Sequence, residues 1–186
     1  MPGQLLPIQK HHEIRQITLV LAVATNLAHE VHPHHETTQG IPPVVIALAA
    51  EIAGASAVLI STPEYNKGPS GVLKNALDWI SRVKPQPLAG KPVAVMSAAA
   101  GRAGGERAQM ILRGFLVPFQ PRLVIGPELH LANCTEEFDS AQRLTNPLYR
   151  DTLAQNERSA ARIASGKSRE SDRIVLDPIS ELAAQL

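Results

Sequence analysis

The sequence predicts an α/β protein with a doubly wound parallel β-sheet that is covered by helices on both faces. Residues 56–61 (SAVLIS) and 91–98 (KPVAVMSA) are short, continuously apolar runs, which indicates strands buried on both faces. An amphipathic helical segment follows each run, and such alternation is typical of parallel sheets with helical crossovers. No internal repeat is visible in the sequence. These observations favour one layered domain.

Four strand candidates follow one another along the chain. The first, residues 17–23 (ITLVLAV), is apolar throughout, and the second and third are the two runs named above. The fourth, residues 122–132 (RLVIGPELHLA), begins in the same apolar way. Residues 1–16 contain no apolar run of strand length, so we expect no strand before the first candidate.

Four helix candidates separate or follow these strands: residues 42–54, 71–81, 105–119 and 146–164. The first begins with two prolines, which suit positions whose N–H groups have no helical partner, and it ends at Gly54. The second carries a Lys74–Asp78 pair on the side opposite its apolar stripe. That stripe consists of Val72, Leu73, Ala76, Leu77 and Ile80. Trp79, on the same helix, is expected to pack in the core.

Composition narrows the class of protein. The 186 residues suffice for one domain with a sizeable core, and the net charge of +1 gives no reason to expect a nucleic-acid partner. No apolar run reaches membrane-spanning length, so no membrane partner is expected. The start of the chain lacks the layout of a secretory signal, and Cys134 has no second cysteine to pair with. We therefore expect a cytoplasmic protein.

Two neighbouring strand ends carry the distinctive chemistry. Ligands bind at the carboxyl ends of strands in open parallel sheets. After the second strand comes TPEYN (residues 62–66), and after the third comes SAAAGRAGGE (residues 97–106). Small residues and glycines in the latter let a backbone approach a flat ligand closely, and the N–H groups of the helix that follows could face an anion. The sequence predicts a crevice between these two ends.

At these residues the chain resembles the NADPH-dependent FMN reductase family of flavodoxin-like proteins, which includes quinone, azo and chromate reductases. The resemblance rests on TPEYN, on GVLKNALDW, on LAGKPVAVMSAAAGRAGGERAQ and, more weakly, on GPELHLANCTEEFD. It runs from about residue 39 to about residue 163. It implies a flavodoxin-like fold, bound FMN, NADPH or NADH as hydride donor, a quinone-type or other small acceptor, and a homodimer or homotetramer.

The resemblance also implies which residues border the cofactor. The first wall of the flavin ring would be formed by Pro63, Glu64, Tyr65 and Asn66. The second wall would be formed by Ser97, Ala98, Ala99, Gly101, Arg102 and Gly104. The family requires no protein acid or base, so no catalytic side chain is assigned. An amide such as Asn66 both donates and accepts hydrogen bonds, as the pyrimidine edge of a flavin needs.

The N-terminal region departs from the family pattern. Family members open with a strand and a Gly- and Ser-rich loop that binds the FMN phosphate, whereas the first strand candidate here is followed by Ala24, Thr25 and Asn26. One strand–helix unit is therefore expected to be absent. Spacing assigns residues 17–23 to the family's second strand. Chain economy instead puts them in the central first position, where they cover the edge of the next strand, and both arrangements stay open.

Six of the seven histidines lie in the first 35 residues. His29, His32, His34 and His35 stand beside two glutamates, a composition that suits zinc or nickel, but Pro33 breaks any helical face and the spacing fits no known motif. A solvated, pH-sensitive loop or a shifted gene start are the other readings, and no metal site is assigned. We divide the chain into a divergent His-rich segment (1–40), a flavodoxin-like domain (41–165) and a tail (166–186).

Two functional hypotheses from different classes follow. In the first, the protein is an FMN-dependent NAD(P)H oxidoreductase. In the second, it is a non-catalytic flavodoxin-like module that has kept an oligomer surface and lost FMN phosphate binding. Without two or three charge-assisted hydrogen bonds to the phosphate, FMN affinity falls by roughly a thousandfold or more.

Overall fold

The computed structural model describes residues 17–21, 40–141 and 143–166. Its centre is a parallel β-sheet of five strands: β1 (Ile17–Leu21), β2 (Ala57–Thr62), β3 (Pro92–Ala98), β4 (Arg122–Leu123) and β5 (Leu129–Leu131). The strands are ordered β1-β2-β3-β4, and β5 also pairs with β3. The predicted α/β architecture with a parallel sheet is thus confirmed. The predicted crevice edge is the carboxyl end of β2 and β3.

Four helices cover the sheet: α1 (Pro43–Gly54), α2 (Gly71–Ile80), α3 (Glu106–Leu116) and α4 (Pro147–Ser165). On one face, α1, α2 and α3 pack over alternate residues of β2 and β3, such as Val58 and Val93. On the other face, α4 packs through Ala160 against Leu59 and its neighbours. Burial on both faces explains why β2 and β3 are apolar at consecutive positions, up to the polar residues at their carboxyl ends. Trp79 is 2% exposed within the first cluster, as the sequence predicts.

Strand β1 settles how the N-terminal strand joins the sheet. It pairs in parallel with β2, with Ile17 opposite Ala57 and Leu21 opposite Ser61. The structure therefore has the arrangement that chain economy favours, in which the first strand covers the edge of β2. Within the described ranges β1 ends the sheet on that side. The predicted strand residues 22–23, the phosphate-loop candidates 24–26 and the histidine run lie outside the described residues.

The fourth predicted strand is wrong as a single element. Residues 122–132 form two short strands, β4 and β5, both paired with β3. The physical reason is Pro127, which lacks the N–H group that a continuous ladder requires. Ile125, in the connection between them, is 87% exposed in the described part of the chain, so the apolar run also contains a residue outside the core. The break leaves β5 at the crevice edge of the sheet.

The predicted helices are confirmed with small shifts of their ends. Helix α3 stops at Leu116, and the rest of the predicted segment is a short 3₁₀ turn, Val117–Phe119, that contains a proline. The tail, residues 167–186, lies outside the described residues. None of the described helices is long and apolar enough to cross a lipid bilayer.

Lys91 ties the end of α1 to the start of β3. Its Nζ donates to the carbonyl oxygens of Ala53 and Ala55 at 2.9 and 2.6 Å, and partial burial lowers the pKa of this ammonium group. These carbonyls belong to the unsatisfied C-terminal end of a helix. We expect Lys91→Met to lower the free energy of unfolding by about 1–3 kcal/mol, measured by urea denaturation. Lys84→Met, at an exposed lysine, is the matched control, and an equal loss there would contradict this role.

Candidate functional site

Two loops meet at the carboxyl edge of the sheet, where the sequence predicts a crevice. The first loop (residues 63–70) follows β2, and the second loop (residues 99–105) follows β3. Thr62 lies opposite Ser97 in the ladder between these strands, so both loops leave the sheet at the same level. The two strand ends that the sequence singles out are therefore neighbours in space.

The first loop is a tight turn with its polar tip in solvent. Tyr65 and Gly68 exchange two backbone hydrogen bonds of 3.0 Å, and the two residues between them have positive φ angles, 48° at Asn66 and 69° at Lys67. Two consecutive positive φ values define a type I′ turn, which Asn adopts readily and Lys does not. Tyr65 is 66% exposed. The turn therefore presents an aromatic ring and an amide side chain beside the crevice.

Two hydroxyl groups hold the base of the first loop. The Oγ1 atom of Thr62 accepts from the backbone N–H of Ser70 at 3.3 Å. The Oγ atom of Ser70 in turn accepts from the N–H of Leu73, which caps the start of α2. Both hydroxyl residues are buried. The loop is consequently fixed at its two ends, and its tip alone is free to meet a ligand.

The second loop depends on two glycines that no other residue could replace without a clash. A Cβ on Gly104 would lie 2.6 Å from the backbone carbon and oxygen of His130, and a Cβ on Gly105 would lie 2.8 Å from the Cβ of Ser97. Both glycines also have positive φ, 58° and 89°. Ser97 donates from Oγ to the carbonyl of Gly104 at 2.7 Å. The second loop is thus pressed against β5 and the end of β3.

Glu64 joins the first loop to the start of α3, which directly follows the second loop. Its Oε2 accepts from the backbone N–H groups of Arg107 and Ala108, each at 3.1 Å, at the start of α3. The residue before this helix is Gly105, which has no side chain to cap it. Glu64 therefore serves as a cap supplied from 43 residues away. Two of the amides that were expected to face an anion have this carboxylate as their partner.

A buried polar network supports the second loop from below. Gln109, which is fully buried, donates from Nε2 to the carbonyl of Leu129 at 2.7 Å and lies 3.2 Å from Oγ of Ser97 and 3.1 Å from Nδ1 of His130. The ring of His130 is thus held at both nitrogens, since its Nε2 lies 3.3 Å from Oε2 of Glu128. These contacts hold β5 against α3.

Four successive amides of the second loop are available to a ligand. Ala99 is committed through both backbone groups, to Leu131 and Cys134. For the N–H groups of residues 100–103, by contrast, the described part of the chain offers no hydrogen-bond acceptor. A run of amides without a protein acceptor, beside small side chains, suits a flat heterocycle with carbonyl and ring-nitrogen acceptors, which is the chemistry of a flavin's pyrimidine edge. The residues present fit the group that the resemblance implies.

The ten predicted site residues divide by what their side chains do. Tyr65, Asn66, Gly101 and Arg102 are exposed at the crevice, and Pro63, Ala98 and Ala99 are half-buried beside it. The side chains of Glu64 and Ser97 are engaged in protein contacts, and Gly104 is buried against β5. The last three residues shape the walls from behind, so direct contact with a ligand stays a prediction for all ten.

Sequence reasoning missed several residues of this region. Gly105, Gln109 and His130 hold the second loop, and Lys67 stands at the tip of the first. The Gly-Gly pair before a helix was a readable signal for Gly105. The buried glutamine had none, because its partners lie on β3 and β5 and become neighbours only in the folded sheet. Within the described ranges, no group of three or more His, Cys, Asp or Glu side chains is placed to hold a metal ion.

A family model described as NADPH-dependent FMN reductase matches residues 9–136, which is more than half of the chain. The match contains both loops and extends into the segment 1–40 that the sequence analysis sets apart as divergent. The three-part division of the chain stays a prediction.

Curated relatives and a solved structure carry related descriptions. An NAD(P)H-dependent FMN reductase of Pseudomonas aeruginosa is 42% identical over 116 residues, which is 62% of this chain and 63% of that protein. A quinone reductase of Escherichia coli is 48% identical over 90 residues, 48% of each chain. The chain thus spans about half to just under two thirds of these relatives. FerB, a flavoenzyme NAD(P)H:(acceptor) oxidoreductase from Paracoccus denitrificans, superposes with a TM-score of 0.63 at 26% identity, over 74% of this chain and 75% of that one.

Proposed function

The chain belongs to the NADPH-dependent FMN reductase family and has its flavodoxin-like α/β fold, and from this premise we propose that it is an FMN-dependent NAD(P)H oxidoreductase. The observation that carries the proposal is the pair of neighbouring loops at the ends of β2 and β3. Glu64 of the first loop holds them together by accepting two hydrogen bonds from the start of α3, directly after the second loop. The relatives are named as an FMN reductase and a quinone reductase. We propose a quinone-type or other small molecule as the acceptor here.

The chain's residues would bind and orient, and none would carry out proton chemistry. When bound, FMN supplies an acceptor for hydride from the nicotinamide and a donor of electrons to the acceptor. The amides of residues 100–103 would hold the pyrimidine edge, and Tyr65 and Asn66 would border the ring from the other loop. Fixing both walls before binding lowers the entropic cost of aligning donor and acceptor.

We also propose that the protein forms a homo-oligomer and lies in the cytoplasm. On α1, Val44 and Ile46 are 46% and 47% exposed, and on α2 Val72 is 41% exposed. A second copy that packs there would bury this apolar surface. Residues near the start of α2 would then lie at the interface. The lone cysteine, Cys134, agrees with a reducing compartment.

An FMN titration with a parallel NADPH-oxidation assay tests the function. We expect added FMN to lose fluorescence on binding, riboflavin to bind through the same ring contacts, and NADPH to be oxidised when FMN and a quinone are present. Protein that leaves the fluorescence of FMN at saturating concentration unchanged, and does not oxidise NADPH, would contradict the proposal. That result would support the non-catalytic module instead.

A further inference from the structure

The rim of the crevice carries more positive than negative charge. Three cations stand on or beside the two loops with exposed side chains: Lys67, Arg102 and Arg107. For the two guanidinium groups, no hydrogen bond or ion pair occurs with any part of the chain that the structure describes. The acidic residues there are Glu64, which is committed to the start of α3, and the exposed Glu106. We call Lys67, Arg102 and Arg107 the cationic rim.

Lys67 stands out among these three by its backbone. Its φ of 69° lies in the left-handed region, at a turn position where glycine is the usual residue. A lysine there is under backbone strain, because its Cβ is crowded in the left-handed region. Its Nζ lies 4.0 Å from Oε1 of Glu64, the outer limit of an ion pair, and its side chain is 70% exposed. Such a pair contributes little, so stability gives no reason for the lysine.

Binding of a ligand gives a reason for a lysine at this position. The proposed hydride donor, NADPH or NADH, is a dinucleotide whose only charged groups at neutral pH are its phosphates, and a cation at the edge of the crevice would meet them as the nicotinamide enters. Resting on the proposed function, we infer that Lys67 is a specificity-determining residue that binds a phosphate group of the nicotinamide dinucleotide. Arg102 and Arg107 add to the attraction from the second loop and α3.

A binding experiment tests the inference without any turnover. Calorimetric titration of the protein with 2′,5′-ADP is compared between the unaltered chain and the variants Lys67→Gln, Lys67→Arg and Lys84→Gln. We expect Lys67→Gln to weaken binding by about tenfold, as loss of one charge-assisted hydrogen bond implies. Lys67→Arg should restore most of it. Lys84 lies past the far end of α2, roughly 15 Å along the helix from the first loop, so its variant should bind normally.

Kinetics separate a phosphate contact from a general loss of structure. The values of kcat/KM are measured with NADPH, with NADH and with 1-benzyl-1,4-dihydronicotinamide, a hydride donor that has no phosphate. Lys67→Gln should lower the value for NADPH about tenfold and leave the benzyl donor unchanged. A loss confined to NADPH locates the contact at the 2′-phosphate, and an equal loss with NADH locates it at the pyrophosphate.

Three results would overturn the inference. These are unchanged binding of 2′,5′-ADP by Lys67→Gln, an equal kinetic loss with the benzyl donor, and an equal loss in Lys84→Gln. Failure of the proposed function looks different. In that case the unaltered protein oxidises none of the three donors, and the calorimetric comparison still decides whether Lys67 binds a nucleotide phosphate.

Discussion

Gly104→Ala is expected to abolish flavin binding and to lower the free energy of unfolding by about 2–5 kcal/mol. The new Cβ would lie 2.6 Å from the backbone of His130 and 2.9 Å from the backbone N of Ala132, so a flexible side chain cannot move aside to admit it. Left-handed φ at a residue with a Cβ adds about 1–2 kcal/mol, and overpacking adds about 1–3 kcal/mol. The second loop would have to leave β5, and the amides of residues 100–103 would lose their alignment.

The measurements are urea denaturation and FMN fluorescence titration. Gly114→Ala is the matched control, because a Cβ at this position of α3 meets nothing within 4 Å. In a helix interior, alanine is more favourable than glycine by about 0.5–1 kcal/mol, so the control should be equal to or more stable than the unaltered protein. A Gly104→Ala protein with unchanged stability and unchanged FMN affinity would show that the second loop is not held as described.

Removing the carboxylate of Glu64 is the second change with a large expected effect. Glu64→Ala leaves the N–H groups of Arg107 and Ala108 without their acceptor and frees the first loop from α3. We expect a loss of about 2–3 kcal/mol in the free energy of unfolding and at least about a tenfold loss of FMN affinity. Glu64→Gln keeps an acceptor oxygen but loses the charge, so its effects should fall between those of alanine and the unaltered protein.

Glu106→Gln is the control that separates the hydrogen bonds of Glu64 to α3 from a general effect of negative charge at the start of this helix. Glu106 lies in the first turn of the same helix and is exposed, and its interaction with the helix dipole is worth only about 0.3–1 kcal/mol. Its replacement should therefore leave the position of the two loops and the FMN affinity nearly unchanged. If Glu64→Ala had no larger effect on FMN affinity than Glu106→Gln, the contact between Glu64 and α3 would be excluded as a determinant of FMN binding.

The sequence predicts those elements of the fold whose burial can be inferred from the pattern of consecutive residues. Strands β2 and β3 are covered on both faces along most of their length, so their consecutive apolar residues mark them directly. The apolar stripe of α2 and the glycine at the end of α1 are equally local signals. The fourth strand failed because Pro127 interrupts a run that reads as continuous, and because Ile125 is exposed despite its apolar side chain.

For the site, likewise, its location can be predicted from the sequence and the contacts of its side chains cannot. The rule that ligands lie at the carboxyl ends of parallel strands locates the two loops from sequence alone, and the resemblance assigns them to a flavin. The partners of individual side chains could not be predicted, since Glu64 meets α3 across 43 residues and Gln109 meets His130 across 21. The resemblance assigns Glu64 to the wall beside the flavin, and the structure shows two backbone amides of α3 as the partners of its carboxylate.

The remote cap on α3 also bears on how the chain could be cut. A fragment that begins after residue 85 would contain α3, β3 and α4 but would lack the carboxylate that starts α3, and the complementary fragment would retain a glutamate with nothing to bind. Neither fragment contains both the Glu64 carboxylate and the backbone amides that donate to it. The two would regain this contact only by recombining, so splitting the polypeptide there would make assembly of the crevice depend on the meeting of two separate chains.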